Sequence, residues 1–272
     1  MTGIINFLLF WGMEVLTLFH TLRNDSAKAH RVQNEAAWKH HRERYMERYK
    51  EQCFIERQNL MTDMVYGKKA GFLTERYMKY YQNADGSLQA AGNACEIIAL
   101  YNVMHALGKS GLDFPKLLMQ FERRGAMLHG NFGTSLPSIC RFLKKEGYDV
   151  KVIFAEKKWV ASSGQIKESA KLAKLSKQYD CFLFAAWNHA GHPGEGLHTM
   201  CITKTKKAES ARETFVVHND YTADLQGNAA KQYHLKQYEN LMEAMVSYNS
   251  RKGKQSKPVC VIGIKAPQSS AI

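Results

Sequence analysis

No two of the six cysteines form a C-x-x-C pair. That absence argues against a zinc ribbon and a thioredoxin-type motif. A chain of 272 residues does not need a disulfide framework to fold, so free thiols in a reducing compartment are expected. No G-x-x-x-x-G-K-S/T stretch occurs, which removes a P-loop, and no H-E-x-x-H helix offers zinc ligands. No internal repeat is visible. No Lys or Arg precedes the apolar opening, so the charged start of a signal peptide is missing. Hydrophobic residues make up 45% and charged residues 23%, which excludes a mostly disordered, collagen-like or multi-span membrane chain.

The chain does carry a strong excess of basic residues. Lys and Arg number 38 against 25 acidic residues, a formal net charge of +13. Acidic surfaces are therefore candidate partners: anionic lipid, nucleic acid or an acidic peptide. The length fits one large domain, or a domain of about 200 residues with an extension.

Three regions are expected. Residues 1–22 are strongly apolar and have the length of a membrane span, but Glu14 near their middle is costly there. Arg23, Lys28, Arg31, Lys39 and Arg42 follow, so a spanning segment would keep the rest of the chain cytoplasmic. Two readings stand: membrane association, or a helix packed on the following domain or on a partner. Residues 23–66 form a charged arm, with one long polar helix expected over 24–66, capped by Asn24, Asp25 or Ser26. Trp38, Tyr45, Tyr49, Cys53, Leu60 and Met64 supply its apolar stripe. Charges of both signs on the other faces fit a solvated helix rather than a nucleic-acid site.

Residues 67–272 alternate helices and strands. Helices are expected at 94–107, 114–124, 136–145, 165–177 and 235–248, and strands at 150–154, 181–187, 197–203, 214–218 and 258–264. Helices come first and most strands late, so the expected class is α+β, with an antiparallel sheet packed on a helical half.

Cys95 opens the apolar helix. A thiol there meets the helix dipole and free N–H groups, which favour the thiolate and can hold an oxyanion. Gln89, six positions upstream, is placed to add a side-chain amide. A thiolate usually has a histidine partner, and His198 lies on a strand after the glycine-rich loop 191–196. The following strand ends in Asn219-Asp220, which an antiparallel pairing brings beside His198. Asn219, or Asp220 in its place, then orients the ring. His218 is expected to point to the opposite sheet face from Asn219. His189 and His192 with His198 form an H-x2-H-x5-H series without a carboxylate ligand, so no metal is expected.

Four segments now resemble a known group: QAAGNACEIIALYNVMHALG, GTSLPSICRFLKKEGYDVKV, GLHTMCIT and FVVHND. The chain resembles the papain-like cysteine peptidases. It is most similar to the stand-alone relatives of the bacterial peptidases that cut double-glycine leaders from bacteriocins. The likeness covers about residues 67–265. It implies a papain-like fold with Gln89 at the oxyanion hole, Cys95 as nucleophile, His198 as base and Asn219 as orienting residue. No cofactor is implied. It implies acyl transfer to Cys95 and hydrolysis of a peptide or isopeptide bond in a peptide or protein substrate. The same triad serves acyltransferases, and a non-catalytic docking protein on the same scaffold is the alternative. A cytoplasmic location, with possible anchoring at the membrane, goes with this reading. Two departures matter. Glu96 follows Cys95 where the branch often has glycine, and a carboxylate raises a neighbouring thiol unless it points away. The ATP-binding motif of the transporter-fused members is missing.

Overall fold

The computed structural model describes residues 2–18, 26–48, 54–67, 82–156, 159, 169–187, 197–206, 213–220, 235–251 and 257–267. It is α+β. The helices are α1 (Thr2–Leu18), α2 (Ser26–Arg48), α3 (Ala90–Asn93), α4 (Cys95–Ala106), α5 (Phe114–Arg124), α6 (Leu136–Lys145), α7 (Ala170–Gln178) and α8 (Leu241–Arg251). The strands are β1 (Val65–Tyr66), β2 (Leu88–Gln89), β3 (Asp149–Phe154), β4 (Cys181–Trp187), β5 (Leu197–Lys206), β6 (Glu213–His218), β7 (Gln237–Tyr238) and β8 (Lys257–Lys265).

Local chemistry sets the helix starts. Asp113 accepts from Lys116 N at 3.0 Å and Pro115 fills the first turn of α5. Ser135 caps α6 in the same way, with Pro137 inside the start. Ser169 caps α7, which begins at Ala170; residues 165–168 of the expected helix lie outside the described residues. The last helix begins at Leu241, after β7, and not at 235.

Six described strands form one antiparallel sheet in the order β3-β8-β4-β5-β6-β7, so the last described strand lies inside the sheet. Alternating side chains serve two cores. Cys181, Leu183, Ala185, Cys201 and Ile262 face a core shared with α1, α2, α4, α5 and α6. Phe182, Phe184, Ala186, Met200 and Ile202 face a core shared with α7 and α8.

The arm departs from the single helix expected over 24–66. Helix α2 is described to Arg48, residues 54–57 are non-helical, a 3-10 turn covers Gln58–Leu60, and Val65–Tyr66 pair with Leu88–Gln89. Ile55, Met61, Met64 and Tyr66 are fully buried in the first core. Three buried asparagines strap this segment down. Asn34 bonds both the N–H and the C=O of Val65, at 2.8 and 3.0 Å. Asn102 does the same for Ile55, at 2.8 and 2.9 Å. Asn219 accepts from Gln58 N and donates to its side-chain oxygen, both at 3.1 Å. Each amide replaces the backbone partner that a buried extended chain would otherwise lack.

No described helix is long and apolar enough to cross a membrane, and residues 1 and 19–22 of the apolar opening lie outside the described residues. Helix α1 packs on the domain through Phe10 and Met13. Glu14, which would be costly in a bilayer, is bonded to Arg141, Ser135 and Ser138.

Candidate active site

The strap, α3 and β2 together deliver Cys95. Strand β2 runs directly into α3, and the Gln58 amide donates to Ala91 O at 2.6 Å and Ala90 O at 3.3 Å. Cys95 follows as the first residue of α4 and is buried. Its Sγ donates to Leu197 O at 3.6 Å and receives the Thr199 N–H. The β5–β6 ladder is described only as far as the pair Cys201–His218. Beyond it, the thiol engages the β5 main chain on both sides of His198.

His198 itself is buried. The β4–β5 register pairs it with Ala186, which places it on the sheet face of Met200 and Ile202. Helix α4 packs on the other face. Its Nε2 donates to the main-chain oxygen of Asn219 at 2.7 Å. A carbonyl only accepts, so Nε2 carries the proton, and in the neutral ring Nδ1 is the basic nitrogen.

Asn219 is thus brought to His198, but through its backbone; its side-chain amide is engaged by Gln58. It holds a left-handed conformation with φ of 60°, uncommon for a residue with a Cβ. Its N–H donates to Glu56 at 2.9 Å. The other Glu56 oxygen accepts from His218 Nδ1, while His218 Nε2 meets Thr203 Oγ1 at 2.8 Å. Glu56 of the arm therefore holds the turn that holds the imidazole. Asp220 lies next in the chain and is also buried. The Gln89 amide donates to Asn83 Oδ1 at 3.4 Å; an oxyanion role uses its second hydrogen or requires it to turn. His189 and His192 lie outside the described residues. Among the described residues no His, Cys, Asp or Glu group is grouped to hold a metal.

The electrostatics reverse the expected thiolate. Burial, and then the neighbouring Glu96, hold the Cys95 thiol well above its ordinary value, against the N–H groups of Thr199 and Glu96. Glu96 does not point away. It is bonded to the thiol, accepts from Thr134 N at 3.3 Å, and burial pushes it up to about 7. Thr134 in turn meets Tyr66 at 2.7 Å. In this conformation Cys95 is a protonated thiol at neutral pH.

Sequence reasoning did not find Glu56, Gln58, Thr134 or the ring-facing carbonyl of Asn219. Glu56 and Gln58 stand about 160 positions from Asn219, and their local pattern matches a polar helix face. Comparison with protein-family models, curated proteins and solved structures gives no match.

Proposed function

We propose that the chain is a papain-like cysteine peptidase that cleaves a peptide or isopeptide bond in a peptide or protein substrate through Cys95. The supporting observation is the bond from His198 Nε2 to Asn219 O, on the strand whose Leu197 and Thr199 main chain meets the thiol of Cys95, the first residue of a buried helix. That bond fixes the tautomer in which Nδ1 can take a proton. Because the resting thiol is protonated, His198 acts as general base during attack rather than in a standing ion pair. The resting ring lies on the sheet face away from α4, so attack requires Cys95 and His198 to be brought together at the β5 edge; the Cys95 proton then passes to Nδ1 and Sγ adds to the substrate carbonyl. The imidazolium then protonates the leaving amine. Water deprotonated by His198 hydrolyses the thioester and restores Cys95. The α4 N–H groups and the Gln89 amide stabilise the oxyanion. An acyltransferase would differ only in using an amine in place of water.

A second reading also has support. The raised thiol and the Asn219 amide engaged by Gln58 favour a non-catalytic scaffold. A peptide library exposed to the full chain separates the two. The peptidase produces new amino termini, and both Cys95→Ala and His198→Ala abolish them while melting like wild type. Absence of cleavage by folded wild type, or cleavage that persists in Cys95→Ala, overturns the peptidase.

A further inference from the structure

Eight of the ten exposed large hydrophobic side chains among the described residues lie on α1. Ile4, Leu8, Trp11, Val15 and Leu18 follow one another at spacings of four, three, four and three, so they form one stripe. Leu8 is 62% exposed and Leu18 77%. The helix is nevertheless docked by its other side. Phe10 and Met13 enter the first core, Asn6 donates to Ala155 O at 3.3 Å, and Glu14 is bonded to α6. Monomer surfaces rarely carry so large a contiguous apolar patch without a use.

We propose that this face of α1 lies in the plane of an anionic lipid surface, with its stripe below the headgroups. An in-plane helix needs an apolar side toward the acyl chains and an anchored side away from them, and α1 has both. It does not need the length of a span, which α1 lacks. Charge selects the kind of surface. The chain carries +13 overall. The elements packed under α1 are themselves basic: besides Arg141, which pairs with Glu14, α6 and β3 hold Lys144, Lys145 and Lys151 against the single acid Asp149. An apolar groove of about 450 Å³ between α1 and β3, lined by Ile4, Phe7 and Phe154, carries the Lys171–Glu156 ion pair at its wall. It extends the patch from the helix onto the sheet edge. A second copy fits the stripe less well. Two chains of +13 repel, and the stripe is two heptads long, short of the three or four of a coiled coil.

Flotation of the full chain with vesicles tests this. Vesicles of phosphatidylcholine alone are compared with vesicles containing phosphatidylglycerol, at low and high salt. The expected result is at least about tenfold stronger binding to the anionic vesicles, weakened by salt, and lost in Leu8→Glu/Val15→Glu with an unchanged melting temperature. A readout without a charge change is quenching of Trp11 by brominated acyl chains, absent in Trp11→Phe. No flotation, unquenched Trp11, or flotation of the double variant equal to wild type overturns the proposal. A dimer that the double substitution dissociates, without vesicle binding, overturns it in favour of a second copy.

Discussion

The Glu96 carboxyl sits against the Cys95 thiol, and burial raises it from its ordinary 4.5 to about 7. Over that window the folded chain keeps a proton that the unfolded chain has lost. The native state therefore binds more protons, and stability falls as pH rises from about 4.5 to about 7. The shift corresponds to roughly 3 kcal/mol. Urea unfolding across this range should show the decline, and Glu96→Gln should flatten it. The same substitution removes the second-largest influence holding the thiol up. Iodoacetamide alkylation of Cys95 should be slow at neutral pH in wild type and titrate at lower pH in Glu96→Gln. An unmoved profile would show that Glu96 does not set the thiol. Gly133 makes room for this carboxyl. Its φ is +76°, and a Cβ there would lie 2.7 Å from Glu96 Oε2. Gly133→Ala should cost about 2 to 4 kcal/mol by thermal unfolding. Glu96 was legible as a threat to thiol activation because it is the next residue in the chain. Nothing in the sequence brought Gly133 and Thr134 to it, because that contact is tertiary.

At the scale of elements, the strap over residues 54–66 joins α2, α4 and the turn after β6. Its hold rests on side-chain amides in place of a strand. Asn102→Ala leaves the buried N–H and C=O of Ile55 without their partner. The expected loss is about 2 to 4 kcal/mol, with earlier proteolysis inside 54–66. Helices α5 and α6 were legible to the residue, since caps and first-turn prolines mark their starts. The strap was not. Its alternation of charged and apolar residues satisfies a helical pattern, and only the waiting amides of Asn34, Asn102 and Asn219 make the extended path better. Glu56→Gln tests whether the strap reaches the chemistry. On the proposed mechanism it should slow acylation of Cys95 with little change in peptide affinity, since Glu56 is bonded to Asn219 and His218.

Across the whole molecule, the α+β class follows from helices early and strands late. The insertion of β8 between β3 and β4 does not. Strands β4 and β8 are apolar runs, and their pairing is decided by packing on two cores rather than by neighbourhood in sequence. The same layering places Cys95 at the flank of β5 while His198 takes the face opposite α4.

Acylation of Cys95 tests the central claim most directly. The full chain is mixed with an activated ester of a short peptide and followed by intact mass and by peptide mapping. The account predicts a single acyl group on Cys95 that forms and then hydrolyses, is missing in Cys95→Ala, and is severely slowed in His198→Ala. No adduct on folded wild type, or adduct formation at the same rate in His198→Ala, would contradict it.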